Sequence, residues 1–302
     1  MRILYLSPWF PYPLDTGSRI RVYHQLQALA RRHKVTLLTL DPQGWAPAQV
    51  EPVEPLCQQL ALIPRDPFHR GRLRTATRFF FLRPIVNIPF AEMTRLVCRL
   101  HTEQPFDVVI ASSTVMARYA LALSSIPHIL EEHNSHTRWM HERYSAQASP
   151  LQRLRCWVSW RKSTLYESRL FPRFDLVTMT SEQDVAASRS LLRSQRPPVA
   201  LVPNGVDCAE FRPGLATPQP DTLVFSGSLA YDANYEAVRF FLRQVYPEIQ
   251  RQRPDAKLLI TGSTKGVDLS DLAVHESMTL TGFVEDIRPL IAGSCASIVP
   301  IL

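Results

Sequence analysis

Short apolar runs separated by longer stretches of helical period set the rhythm of the first two thirds of the chain. The runs fall at residues 2–6, 34–40, 60–63, 107–111, 126–130, 175–179 and 198–202. Each has the length of a strand, and most are too uniformly apolar to leave one face in water. Their alternation with helical segments predicts an α/β domain with a mainly parallel sheet. The segment after the first run carries Val22, Tyr23, Leu26, Leu29 and Ala30 on one helical face, with Arg21, Gln25, Gln27 and Arg31 left for the others. Beyond "VPNGVD" the rhythm restarts, with apolar runs at 222–226, 257–261, 278–281 and 296–299, a helical stretch at 235–251 and a short helix near 286–292. Two α/β domains are therefore expected, 1–205 and 206–302, with Pro213–Pro220 as a stiff linker just past the boundary. The second has only three or four strand-like runs and ends on the apolar "CASIVPIL", which predicts a second domain that is cut short.

The first strand runs into "SPWFPYPLDTGSRIRV", a Pro-rich loop followed by Gly17 and a basic helix. In open parallel sheets the carboxyl ends of the strands face the ligand, and a helix amino terminus there offers free N–H groups and partial positive charge to an anion. A phosphate-bearing ligand is one reading of Gly17. The other is that the glycine supplies a backbone angle that other residues resist.

Composition narrows the classes. The chain has 302 residues and is 45% hydrophobic, enough for one large or two ordinary cores. No run of about 18 apolar residues suggests a membrane span, and Met1-Arg2 leads straight into a strand rather than a signal peptide, so a cytoplasmic location is expected. Cys57, Cys98, Cys156, Cys208 and Cys295 are scattered and never paired as C-x-x-C, which points to neither a disulfide framework nor zinc. The net charge of +7 is uneven: residues 207–302 hold 8 Lys+Arg against 12 Asp+Glu, and residues 1–206 hold 26 against 15. Much of the excess lies in two tracts interleaved with aromatic residues, Arg65–Arg83 and Arg153–Arg173. Such tracts bind anionic lipid or an anionic substrate, or their arginine stems simply cover apolar surface. Nucleic acid is disfavoured as a partner, because no zinc-finger, RNA-recognition or helix-turn-helix pattern accompanies the charge.

Four stretches together resemble a known family. They are "ILYLSPWFPYPLDTGSRIRVYHQLQALA", "ILEEHN" at 129–134, "TSEQD…VPNGVDCAEFRP" at 180–213 and "FSGSLAYDANYEAVRFF…LLITGS…LTGFVEDIRPLI" at 225–291. The chain is similar to the family-4 retaining glycosyltransferases of GT-B architecture, most of all to bacterial sugar transferases of exopolysaccharide systems. That resemblance implies two Rossmann-like domains facing a cleft, here with the second incomplete. It implies transfer of a hexose from a nucleoside-diphosphate sugar to a lipid-linked or polysaccharide acceptor, with retention and without a metal or other cofactor. An anionic membrane surface at the inner face is a partner that would suit such an acceptor.

By the same resemblance Gly17, Ser18 and Arg19 approach the donor diphosphate, and His133, with Asn134 next to it, lies beside the transferred sugar. Gly227, Ser228 and Lys265 would also meet the diphosphate, with Asp232 and Asn234 as helix-capping candidates. Gly262, Gly282, Phe283 and Val284 would wall the nucleotide. The junction "PNGVD" reads as a hinge. His136 and His141 follow His133, and their H-x-x-H spacing invites a metal, but no acidic partners support one. Two departures stand out. The family's basic pair after the "GS" turn is missing, with no base before Arg239, and its acidic motif would begin just after Leu302. A nucleotide-sugar epimerase of the same architecture and a non-catalytic membrane-surface or glycan-binding remnant are the competing readings.

Overall fold

The computed structural model describes residues 1–40, 50–68, 89–272 and 275–301. The chain divides into two compact units, Met1–Asn204 and Gly205–Leu302. The boundary lies one residue from the predicted one and inside the "PNGVD" junction.

The first unit is built on seven strands: β1 (Arg2–Ser7), β2 (Lys34–Leu40), β3 (Gln59–Ile63), β4 (Val108–Ser112), β5 (His128–Glu131), β6 (Leu176–Met179) and β7 (Val199–Leu201). All pair in parallel, in the order β3-β2-β1-β4-β5-β6-β7. Ile3 aligns with Val35 of β2 on one side and Val108 of β4 on the other, so the order reverses between β1 and β4. At such a reversal the flanking helices leave on opposite faces and open a crevice at the strand carboxyl ends. Among the described residues its helices are α1 (Gly17–Ala30), α2 (Ala91–Glu103), α3 (Thr114–Ala120), α4 (His136–Ala146), α5 (Pro150–Leu170) and α6 (Glu182–Ser190).

Both faces of this sheet are covered, which is why its strands read as apolar runs. Leu4 and Leu6 of β1 join Val109, Leu130 and Val177 in one core, while Tyr5 turns to the opposite face with Leu37, Val22 and Leu26. The tract Arg65–Arg83 lies outside the described residues from His69 onward, as do residues 42–49 of the stretch Pro42–Pro55. No helix among the described residues is long and apolar enough to cross a membrane.

The second unit has a four-stranded parallel sheet, order β10-β9-β8-β11, from β8 (Gln219–Ser226), β9 (Lys257–Thr261), β10 (Met278–Gly282) and β11 (Ser294–Ser297). Strand β8 starts at Gln219 and so takes in Pro220, the end of the expected linker; a proline is tolerated at a strand start. The helix expected over 235–251 begins earlier and is not continuous. Helix α7 (Asp232–Phe240) passes through a π turn at Phe241–Val245 into α8 (Tyr246–Gln252), and α9 (Arg288–Ala292) follows later. Pro247 has no N–H to return to the preceding turn, which accounts for the shifted ladder just before it. Asp232 and Asn234 do not cap this helix: the cap position is Tyr231, and the Asn234 carboxamide instead donates to the Ser228 carbonyl at 3.0 Å.

Gly262, directly after β9, has a φ of +132°, and a Cβ there would lie 2.3 Å from the carbonyl oxygen of Gly227. Two turns of the second sheet pack backbone to backbone at this point. Gly262→Ala is expected to destabilise the second unit by at least ~1–3 kcal/mol, read as a lower urea midpoint. An unchanged midpoint would show that the turn relaxes around a methyl group.

Candidate active site

The carboxyl edge of the first sheet gathers the polar groups that the strands deliver there. Glu131, the last residue of β5, is buried beneath His133 and makes four contacts. Its Oε1 accepts from Arg21 Nε at 2.5 Å and Gln25 Nε2 at 3.3 Å, and its Oε2 from Ser112 Oγ at 2.9 Å and His133 Nε2 at 3.1 Å. Arg21 completes its guanidinium with Asn204 Oδ1 at 2.9 Å and the carbonyls of Val202 at 2.9 Å and Pro203 at 3.4 Å. Tyr5 supports Gln25 through a 2.5 Å hydrogen bond from its hydroxyl. On the other side of the imidazole, His133 Nδ1 lies 3.2 Å from Ser18 Oγ, in the first turn of α1. Trp9 packs edge-on to the imidazole, with ring centroids 5.5 Å apart, and Thr180 donates to the His133 carbonyl.

Sequence reasoning placed Arg21 on a polar helical face; it is buried instead, with 6% of its side chain exposed. The reason is a partner 110 residues away, which periodicity within one helix cannot register. Glu131, Ser112, Gln25 and Tyr5 were likewise not singled out. The repeated acid in "EEHN" was the available signal, since two carboxylates at the end of an apolar strand demand partners.

Gly17 opens α1, takes no left-handed backbone angle, and a Cβ there would meet nothing within 4 Å. The backbone-angle reading of this glycine is thereby removed. The N–H groups of Gly17, Ser18 and Arg19 find no acceptor among the described residues, as the first turn of a helix leaves them. Arg19 is held by Asp15 at 3.0 Å on the exposed side. Asn134 is exposed beside His133. His136 and His141 do not join His133; they tilt against Trp139 and Trp160. Among the described residues no three His, Cys, Asp or Glu side chains are grouped to hold a metal.

In the second unit, the ends of β8, β9 and β10 bring together Gly227, Ser228, Gly262 and Gly282. The Gly227 N–H donates to Thr261 O, the Gly262 N–H to Gly282 O and Ser228 Oγ to Ser263 O. Gly282 has a φ of +70° and open space where a Cβ would stand. Phe283 is 70% exposed, and Val284 is half-buried. Lys265 is exposed and forms no ion pair among the described residues, whereas Arg239 is tied to Asp271 and Glu236.

Two adjacent glutamates titrate in opposite directions. Burial alone would raise Glu131, but the hydrogen bonds and charges of His133 and Arg21 outweigh it and hold the carboxyl at about 2. Glu132 has no cation; burial drives it up to about 8, against a hydrogen bond from Thr114 and with help from the charge of Glu167. Glu167 is pushed up to about 7, again chiefly by burial, although Thr137 donates to it from both its N–H and its hydroxyl.

The family model Glycosyltransferase Family 4 matches residues 16–210, and the model Glycosyl transferases group 1 matches residues 220–302. The chain belongs to glycosyltransferase family 4, and its class of activity is glycosyl transfer. Among solved structures it is similar to HepE of Anabaena in complex with UDP-glucose, at 14% identity over 98% of this chain and 73% of that one, with a TM-score of 0.56. The lipopolysaccharide outer core galactosyltransferase WaaB in its apo form gives 12% identity, the same 98% and 73%, and a TM-score of 0.53. Arabidopsis thaliana UGT89C1 complexed with UDP gives 12% identity over 98% and 74%, with a TM-score of 0.52. At these identities the likeness establishes the fold, which is GT-B. No curated protein matches the chain.

The two directions of titration fix a pH profile. Glu132 and Glu167 keep protons that the unfolded chain has released, so their contribution is present below about pH 4.5 and is lost as pH rises through about 7 to 8. Glu131 acts oppositely, contributing stability above about 4.5 that is lost as pH falls toward about 2. Thermal stability of the chain is expected to peak near about pH 5, and Glu132→Gln is expected to flatten the decline toward pH 8. A decline of equal slope in the variant would remove Glu132 as its cause. Arg21→Met, which strands the buried Glu131 carboxylate, is expected to cost about 3–5 kcal/mol, and adding Glu131→Gln should restore part of that in urea unfolding.

Proposed function

We propose that this chain transfers a hexose from a nucleoside-diphosphate sugar to a lipid-linked or polysaccharide acceptor, with retention of configuration, in exopolysaccharide-type synthesis at the cytoplasmic side of a membrane. The observation that carries the reading is the position of His133. Its ring is fixed by a fully satisfied buried carboxylate and faces the first turn of α1, where the N–H groups of Gly17, Ser18 and Arg19 have no acceptor among the described residues. A departing diphosphate is a dianion or trianion, and free N–H groups at a helix amino terminus are suited to stabilise the charge it gains.

In this reading Gly17, Ser18 and Arg19 receive the diphosphate, His133 lies against the sugar, and Asn134 meets sugar or acceptor. Gly227, Ser228 and Lys265 serve the diphosphate from the second unit; Gly262, Gly282, Phe283 and Val284 serve the nucleotide. Arg19 would exchange Asp15 for phosphate. The residues that hold Glu131 do not touch substrate and act as positioning residues. Charge stabilisation comes from N–H groups and cations, with no metal or other cofactor in the scheme. A nucleotide-sugar epimerase would convert its donor without an acceptor, and the family match favours transfer over it.

Gly17→Val discriminates between a phosphate loop and an ordinary helix start. Because the Cβ of residue 17 meets open space, the melting temperature should stay put while affinity for nucleoside diphosphates, measured by calorimetry, falls at least tenfold, about 1.4 kcal/mol. Unchanged affinity would sink the assignment. His133→Ala should lower turnover far more than donor affinity, the signature of a contact that matters most in the transition state.

A further inference from the structure

Helices α4 and α5 form a hairpin whose far end carries large exposed apolar side chains. The buried side chains of α5 are Ser163, Glu167 and Leu170, all in its second half. Residues 148–155 are exposed without exception. This free end displays Leu151 at 78% exposure, Leu154 at 57% and Trp157 at 43%, spaced by three so that they share one side of the helix. Large apolar side chains grouped in this way mark a surface that something covers.

Charge selects the occupant. Residues 143–166 hold five Lys+Arg and no Asp or Glu. Three of the arginines lie over aromatic rings rather than carboxylates: Arg143 over Trp139, Arg153 over Tyr144 and Arg161 over Trp160, at 5.1, 5.1 and 5.8 Å. With Arg155, none of them forms an ion pair among the described residues. The Tyr144 and Trp160 rings stack on each other between the helices and hold the cationic flanks to the apolar end.

We infer that the α4–α5 hairpin docks this enzyme on an anionic lipid bilayer, with Leu151, Leu154 and Trp157 entering the headgroup–acyl boundary and the flanking arginines meeting the lipid phosphates. Leucines and a tryptophan beside arginines are the composition that settles at such an interface. A second copy of the chain is the poorer partner, because it would bring two net-cationic hairpins together. The inference extends the lipid-linked-acceptor reading above and is tested apart from transfer.

The full chain is sedimented with vesicles of equal parts phosphatidylglycerol and phosphatidylcholine. Binding should be strong at low salt and weaken as salt is raised. The variant Leu151→Ala/Leu154→Ala/Trp157→Ala should lower partitioning at least tenfold, with an unchanged melting temperature, since none of the three is buried. Arg153→Gln/Arg155→Gln should weaken binding to these vesicles and reduce its salt dependence. Undiminished binding by the apolar triple variant overturns the proposal. So does equal binding to pure phosphatidylcholine, a dimer in sedimentation velocity that the triple variant dissolves, or displacement of vesicles by a single-stranded oligonucleotide with no effect of the apolar substitutions. Nucleoside-diphosphate binding on the same samples reports the transferase reading separately.

Discussion

The buried pair Arg21–Glu131 is the constraint on which the first unit's site depends. Both side chains are nearly inaccessible, at 6% and 5% exposure, and removing two such charges from water costs several kcal/mol per ion. That cost is offset only where the remaining hydrogen-bonding capacity is filled, and here it is filled on both sides. Four donors converge on the carboxylate, and the guanidinium reaches three further acceptors at 202–204. One interaction thus joins the first helix, strands β4 and β5, the histidine and the chain's exit from the unit. Because the network is buried, a half-satisfied version would be worse than none, so these elements hold together or loosen together. Asn204, in the "PNGVD" junction, is a member of the network.

The same pair decides what His133 can do. A carboxylate only accepts, so the Nε2 facing Glu131 carries a proton, and Ser112 Oγ, donating to the same oxygen, reinforces that assignment. The Nδ1 is then an acceptor for the Ser18 hydroxyl in the neutral ring and a second donor in the imidazolium. Ser18 belongs to the helix turn whose Gly17, Ser18 and Arg19 N–H groups are unpartnered among the described residues, so the histidine is tied to the groups that the proposed function assigns to the diphosphate. Preorganisation of this kind spares the reorganisation that water would need around a charge that appears during reaction.

Much of this was legible before any coordinates. The seven apolar runs became seven strands, His133 stands just past the end of β5, and Gly17 opens α1. What was not legible has a common physical cause. Arg21 looks solvent-facing within its own helix, because its partner Glu131 is remote in sequence. Asp232 looks like a cap, but the chain enters the helix one residue earlier and Asn234 turns back to a carbonyl. Gly262 is required by the backbone of another turn, at Gly227, which no local pattern around it could show. Local pattern specifies elements; contacts between elements far apart in sequence assign the side chains.

Glu131 and Glu132 show how finely that assignment divides a strand end. They are adjacent, chemically alike and both buried, yet one is held near 2 and the other near 8. The difference lies in what each meets. Glu131 meets a guanidinium and an imidazole; Glu132 meets a hydroxyl and, through space, the carboxyl of Glu167 on α5. Glu167 in turn accepts two hydrogen bonds from Thr137 at the start of α4, which fastens the base of the hairpin. A second anion would repel along this line, so the strand end carries its negative charge on the side of His133, while Glu132 holds its proton well above the usual carboxylate range. The ionised side fixes the orientation of the His133 imidazole. On the other side, burial raises Glu132 and Glu167 and so reduces the charge that the two helices bury against the sheet, while the Thr137–Glu167 hydrogen bonds secure the root of the hairpin.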